Sequence, residues 1–191
     1  MFTQRFTSFL HSLASRRVIF ILLPVIIAIT VLANSLFFTD IAKAESVIDV
    51  MPDISYTDKS NKEHKFDPSG NKLTALHFWA TWCPPCVKEL PEVSKTQEKY
   101  KGKGFKVIAI SLDGKNVDKV EKFLKDNKID NLDVFYDVYM KAFKALKIDA
   151  LPTTIFIDKT GMIVLRKQSV VKWESEETTN LIEEYLDLKD I

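Results

Sequence analysis

Several residue types are scarce in this 191-residue chain, and each scarcity excludes a class of protein. Two cysteines are too few for a secreted fold stapled by several disulfides. Five glycines and seven prolines argue against collagen-like and disordered chains, which are rich in these residues. A formal net charge of +1 gives no strongly basic surface, so no nucleic-acid partner is expected. The length allows one ordinary domain with a small appendage.

Charged residues are absent from one long N-terminal segment. The 22 residues from Val18 to Thr39 carry no charge and are mostly apolar. As a helix this run would be roughly 33 Å long, and the hydrocarbon core of a bilayer is about 30 Å thick. Three arginines and no acid precede the run, which by the positive-inside rule keeps the N-terminus in the cytoplasm. We therefore expect a cytoplasmic basic segment at 1–17 and a transmembrane signal-anchor at 18–39.

The residues after this run leave open whether a signal peptidase removes the N-terminal segment. Ala42-Lys43-Ala44 has the small-x-small form that a signal peptidase could cut before Glu45. The apolar run is longer than the roughly 7–15 residues usual in a cleaved signal peptide, so an uncleaved anchor in the inner membrane is favoured. Residues 40–51 are then a linker, and 52–191 form a domain in the periplasm or elsewhere outside the cytoplasm.

The domain alternates strand patterns with helix patterns. Apolar runs at Leu73–Ala80 and Phe105–Leu112 indicate buried central strands. A turn at Asp158–Gly161 predicts an antiparallel hairpin between the last two strands. Other strands are predicted at Ile54–Thr57, His64–Phe66, Leu132–Tyr136, Thr153–Ile157 and Met162–Gln168, and helices at Val87–Tyr100, Val117–Leu124, Tyr139–Leu146 and Glu174–Leu188. An α/β fold follows, with a central mixed sheet flanked by helices.

Both cysteines lie in one Cys-x-x-Cys motif, at a junction between a strand pattern and a helix pattern. At the start of a helix this spacing places Cys83 and Cys86 on the same turn, close enough for a disulfide. Cys83 at the N-cap would face free backbone N–H groups and the positive end of the helix dipole, which stabilise a thiolate. Pro84 and Pro85 suit the first helical turn, where their missing N–H groups would have no intrahelical partners. A redox-active disulfide is expected, with no other cofactor.

The residues around the motif resemble the thioredoxin-like superfamily. The resemblance rests on the run from His77 to Cys86 and on Leu151-Pro152-Thr153-Thr154 further along the chain. The run from Cys86 to Pro91, with an extra helix and strand at about 115–136, is similar to the membrane-tethered thiol-disulfide oxidoreductases of the TlpA, ResA and DsbE group. The resemblance covers roughly residues 50–188 and implies a thioredoxin-like fold with a helix-strand insertion.

The resemblance also implies roles for residues outside the cysteines. Pro152 would be a cis-proline that faces the disulfide and, with Leu151, helps to hold an extended substrate. Trp82 and the two prolines of the motif would support the active site rather than perform chemistry. Glu89 lies one helical turn after Cys86, and an acid here would tune the thiol pKa values and could relay the proton of the resolving cysteine. The alternative is an ordinary acid on the surface of the helix.

His77 lies six residues before Cys83, where cytoplasmic thioredoxins carry a buried acid and this group more often has asparagine. A histidine at this position could shuttle a proton near neutral pH. A buried structural imidazole is the favoured interpretation.

The predicted reaction is thiol-disulfide exchange. The Cys83 thiolate attacks a client disulfide, a mixed disulfide forms, and Cys86 resolves it. A reductase outside the cytoplasm needs electrons sent across the membrane, and the resemblance implies an integral-membrane thiol donor of the DsbD or CcdA type. The implied clients are proteins of cytochrome c or cytochrome oxidase assembly. Because Ala150-Leu151-Pro152-Thr153 lacks the Gly-x-Pro-Glu form of the DsbE branch, a more general TlpA-like reductase is favoured.

Other functions would use the same residues. A disulfide oxidase or isomerase would employ the same thiols, and the sequence does not reveal the direction of electron flow. A copper-binding assembly chaperone of thioredoxin fold would need a histidine downstream, and none follows Cys86. A zinc site formed by both cysteines with His64 and His77 would have unusual histidine spacings. No metal is therefore expected.

Overall fold

The computed structural model describes residues 49–187. The expected cytoplasmic segment at 1–17 and the expected transmembrane segment at 18–39 lie outside the described residues. Within 49–187, none of the helices combines the length and the apolar character needed to cross a membrane.

Within the described range, seven strands form one mixed sheet in the order β2-β1-β5-β4-β3-β6-β7. The strands are β1 (Ser55–Thr57), β2 (Glu63–Lys65), β3 (Leu73–Trp79), β4 (Phe105–Ser111), β5 (Asp133–Tyr136), β6 (Thr153–Asp158) and β7 (Ile163–Lys167). The three central neighbours β3, β4 and β5 are parallel, whereas β6 pairs antiparallel with both β3 and β7. The carboxyl ends of β3, β4 and β5 therefore meet at one end of the sheet.

Helices cover both faces of this sheet. They are α1 (Pro84–Lys99), α2 (Val117–Asp126), α3 (Lys141–Ala145) and α4 (Glu176–Asp187). Side chains alternate along β3, so Leu76 and Phe78 belong to one core cluster and Leu73 and Ala75 to the other. Residues of α2 and α3 pack into the first cluster, residues of α4 into the second, and α1 contributes to both. The α/β fold with a flanked mixed sheet is confirmed.

Several local predictions are confirmed, and helix α3 is shorter than expected. All seven residues of β3 are buried, and α2 with β5 forms the helix-strand insertion. The hairpin turn is closed by the Asp158 carboxylate, which accepts the Thr160 N–H at 2.9 Å, and by Gly161 at φ +87°. Helix α3 does not begin at Tyr139, because Met140 has a left-handed backbone (φ 55°) that a right-handed helix cannot include.

The end of the expected linker at 40–51 is attached to the domain. The Met51 N–H donates to the Gly161 carbonyl at 2.9 Å, and the Ile163 N–H donates to the Asp49 carbonyl at 2.8 Å. Val50 forms an antiparallel bridge with Met162. Residues 49–51 thus pair with the turn between β6 and β7.

Candidate active site

Cys83 and Cys86 lie at the junction of β3 and α1 and form a disulfide, with their Cα atoms 5.3 Å apart. Cys83 is the N-cap of α1, and its Sγ accepts the Cys86 N–H at 3.4 Å. Pro84 and Pro85 occupy the first helical positions, as expected. The Cys86 N–H and the dipole of a 16-residue helix therefore act on the Cys83 sulfur, which favours its thiolate.

The two sulfurs differ in their access to solvent. Cys86 is completely buried, and Cys83 is 5% exposed. Around them, Trp82 is 60% exposed, and Pro84 and Pro85 are also exposed. Cys83 is thus the sulfur that a client can approach, and Trp82 lies on the surface next to it, where it can contact a client.

The backbone leading into Cys83 is anchored to the end of β4 by Asp113. This buried carboxylate accepts the Thr81 N–H at 2.8 Å and also the Thr81 hydroxyl. It accepts the Ser111 hydroxyl at 2.9 Å, and the Lys119 ammonium lies 3.9 Å away. Sequence reasoning missed Asp113, although an acid directly after an apolar strand pattern was a usable signal.

Pro152 lies at the same end of the sheet as the disulfide. The Leu151–Pro152 peptide bond is cis, which confirms the expected cis-proline. Thr153, the next residue, pairs with Phe78 near the end of β3, from which the chain continues to Cys83. Leu151 is partly buried against the core cluster that contains both cysteines. The contact of these two residues with a client stays a prediction.

Glu89 is buried in α1, with only 3% of its surface exposed. Its Oε1 accepts the Val171 N–H at 3.0 Å and the Trp173 Nε1–H at 2.6 Å. Its Oε2 is buried and has no hydrogen-bond partner among the described residues. Burial raises the pKa of the Glu89 carboxyl, and the two donated hydrogen bonds oppose this rise. Glu89 is therefore no ordinary surface acid, and the segment at 171–173 that holds it was not identified from the sequence.

His77 is completely buried in β3. Its Nδ1 lies 2.9 Å from Oγ1 of Thr154, its partner across the strands, and its ring meets the Trp173 ring edge-on at 5.9 Å. Burial lowers the pKa of His77 to about 3. An imidazole with this pKa stays neutral near neutral pH, which favours the structural interpretation over a proton relay.

His64 is not brought together with the two cysteines. His64 lies on β2 at the edge of the sheet, and its Nε2 is 2.9 Å from the Asp58 carboxylate. The disulfide follows β3, four positions away in the strand order. Across residues 49–187, no group of three or more His, Cys, Asp or Glu side chains is placed to hold a metal ion. His64 therefore lies on a different part of the sheet from the cysteines with which a zinc site would have to form.

Comparisons with known proteins point to the same chemistry. The Redoxin family model matches residues 47–182. The thiol-disulfide oxidoreductase ResA of Geobacillus thermodenitrificans (strain NG80-2) is 32% identical over 151 residues, which cover 79% of this chain and 84% of that protein. Among solved structures, one described as the thiol:disulfide interchange protein DsbE of Chlorobium tepidum aligns with a TM-score of 0.63 at 29% identity, over 72% of this chain and 96% of the other. StoA of Bacillus subtilis aligns with a TM-score of 0.56 at 25% identity, over 71% and 97%.

Proposed function

The chain belongs to the Redoxin family and is a thiol-disulfide oxidoreductase, and we propose that it reduces disulfides of client proteins outside the cytoplasm. The observation that carries this proposal is the Cys83–Cys86 disulfide at the N-terminus of α1. The cis-proline at 152 lies at the same end of the sheet, where an extended client segment can approach the Cys83 sulfur. The active form is the reduced dithiol, and the disulfide is the product of one turnover.

The first chemical step belongs to Cys83. Its sulfur accepts the Cys86 N–H at 3.4 Å and lies at the positive end of α1, so its thiolate is the stabilised one. The thiolate attacks one sulfur of the client disulfide, and the other client sulfur leaves as a thiolate. The product is a mixed disulfide between Cys83 and the client.

The second step belongs to Cys86 and needs a base. Cys86 is completely buried, so its thiol cannot pass a proton directly to bulk water. Glu89 lies one turn along the same helix, and its raised pKa makes it a better proton acceptor than an exposed carboxylate. The Cys86 thiolate then attacks Cys83, releases the second client sulfur and forms the Cys83–Cys86 disulfide.

The setting of the reaction is also part of the proposal. The uncharged run at 18–39 would anchor the chain in the inner membrane, with the catalytic domain on the far side of the membrane from the cytoplasm. An integral-membrane thiol carrier of the DsbD or CcdA type would regenerate the dithiol. Clients would come from cytochrome c or cytochrome oxidase assembly, as the sequence resemblance to the TlpA, ResA and DsbE group implies.

Trapping tests this proposal. In cells that express the full-length chain, Cys86→Ala should accumulate mixed disulfides through Cys83, because the resolving thiol is missing. Cys83→Ala is the matched control and should trap no client. Mass spectrometry of the trapped species identifies the clients. Recovery of no covalent partner from Cys86→Ala, or of the same partners from both variants, would reject the proposal.

A further inference from the structure

The Glu89 carboxylate has two unequal oxygens. Oε1 accepts two N–H groups, from the Val171 backbone at 3.0 Å and from the Trp173 indole at 2.6 Å. Oε2 is buried and receives no hydrogen bond from the described residues. A carboxylate in water accepts hydrogen bonds at both oxygens, so this asymmetry is imposed by the fold.

The two donors come from the segment that precedes α4, and this segment is fixed by packing. Trp173 is completely buried, and Val171 is 5% exposed. The indole ring contacts the His77 ring at 5.9 Å and the Phe156 ring at 5.8 Å between centroids. The indole N–H therefore reaches Glu89 from a rigid position and cannot follow a rotation of the carboxylate.

These contacts decide which oxygen can take a proton. Protonation at Oε1 would weaken two N–H···O bonds at a site buried from bulk solvent. Protonation at Oε2 leaves both bonds in place. Oε2 is thus the basic position of this side chain.

We propose that Trp173 is a positioning residue of the oxidoreductase: its indole N–H holds Oε1 of Glu89 and so reserves Oε2 for the proton of Cys86. This inference rests on the proposed function. In the resolving step, Oε2 takes the proton from the Cys86 thiol. The Cys86 sulfur bonds to the Cys83 sulfur, the bond between Cys83 and the client sulfur breaks, and the client sulfur leaves with the electron pair of that bond. Over the whole turnover, two electrons pass from the two cysteines to the client.

One other charged group is identified as acting on this carboxylate. Glu92 on α1 raises the pKa of Glu89 through its charge. The His77 ring contacts the other side of this site, at the Trp173 indole ring. His77 stays neutral at neutral pH, because burial lowers its pKa to about 3. The thiols of Cys83 and Cys86 lie earlier on the same helix end. Removal of the indole N–H takes away one of the two hydrogen bonds that lower the Glu89 pKa, so that pKa should rise.

The test uses the reduced full-length chain and the disulfide probe 5,5′-dithiobis(2-nitrobenzoate). Attack by Cys83 releases the first thionitrobenzoate, and resolution by Cys86 releases the second, so the two steps are read separately. Trp173→Phe keeps an aromatic ring, removes the N–H donor and replaces the bicyclic indole by a smaller ring. We expect its second release to shift by about one pH unit to higher pH, which is about tenfold slower on the acid side. The first release should keep its wild-type rate.

A positioning role and a merely structural role give different pH profiles. Above the raised pKa, the Trp173→Phe rate should return to the wild-type rate, whereas a distorted site would be slow at every pH. Tyr100→Phe is the matched control, because it removes a hydroxyl that donates to the Glu183 carboxylate at 2.7 Å, outside the active site. Its profile should equal that of the wild type. A Trp173→Phe profile that coincides with the wild-type profile, or that is slow throughout, would overturn the inference.

A second measurement keeps tryptophan at position 173 and so does not depend on the folding of Trp173→Phe. In the reduced wild-type chain, the Trp173 indole N–H resonance should titrate with the Glu89 carboxyl in NMR spectra, and Glu89→Gln should abolish that titration. An indole resonance that does not move with pH would refute the inference even if Trp173→Phe failed to fold. Failure of the proposed function looks different, since wild-type chain would then release no second thionitrobenzoate.

Discussion

Replacement of Asp113 by alanine removes the carboxylate that ties the chain before Cys83 to the end of β4. This carboxylate accepts the Thr81 N–H, the Thr81 hydroxyl and the Ser111 hydroxyl. A hydrogen bond to a charged group contributes about 1.5–3 kcal/mol, and a buried donor left without a partner costs about 1–3 kcal/mol. The hydroxyls can rotate toward other acceptors, whereas the Thr81 N–H cannot. We therefore expect Asp113→Ala to lower the free energy of unfolding by about 3 kcal/mol.

The assay is urea unfolding of the full-length chain, followed by circular dichroism. Asp126→Ala is the matched control, because its carboxylate pairs with Lys122 at 2.7 Å on the exposed face of α2. That substitution should change the free energy of unfolding by no more than about 0.5 kcal/mol. Equal changes in the free energy of unfolding for the two substitutions would refute the argument that the Asp113 contacts stabilise the chain before Cys83.

Three further substitutions test separate parts of the site. Glu89→Gln keeps an oxygen that can accept the Trp173 indole N–H but removes the base. Resolution by Cys86 should therefore slow about 100-fold at neutral pH, while attack by Cys83 keeps its rate. The two releases of thionitrobenzoate measure these two rates. The folded His77 has a pKa of about 3, below its ordinary value of 6.5, so the unfolded chain binds the extra proton between these pH values and stability falls as pH drops. His77→Phe should remove up to about 1.4 kcal/mol per pH unit from the slope of unfolding free energy in that window, and an unchanged slope would contradict the buried neutral imidazole. Trp82 is 60% exposed, so Trp82→Ala should leave the urea midpoint of unfolding unchanged. In a Cys86→Ala background, the same substitution should lower the yield of mixed disulfides with clients. An undiminished yield would exclude a contact between Trp82 and the client.

Features encoded by local patterns could be predicted from the sequence. The apolar run at Leu73–Ala80 predicted β3, whose seven residues are all buried. The Cys-x-x-Cys motif between a strand pattern and a helix pattern predicted Cys83 at a helix N-cap, and the structure places it there. The cis peptide bond at Pro152 followed from a family resemblance and not from the residues alone.

Contacts between residues far apart in the chain could not be predicted in this way. Glu89 was expected near the cysteines from its spacing, but its two donors are 82 and 84 residues further along. Asp113 meets Thr81 across a separation of 32 residues. Such contacts depend on how the sheet brings strands and loops together, and no local pattern of apolar and polar residues specifies them.

The fate of the two thiols in a single turnover tests the central claim most directly. Reduced full-length chain is mixed with a disulfide-bonded protein such as insulin, the reaction is quenched with an alkylating agent, and the cysteines are mapped by mass spectrometry. The account predicts that each client disulfide reduced yields two alkylated client thiols and one Cys83–Cys86 disulfide. Client thiols that appear while Cys83 and Cys86 stay reduced, or a chain that leaves the client disulfide intact, would contradict it.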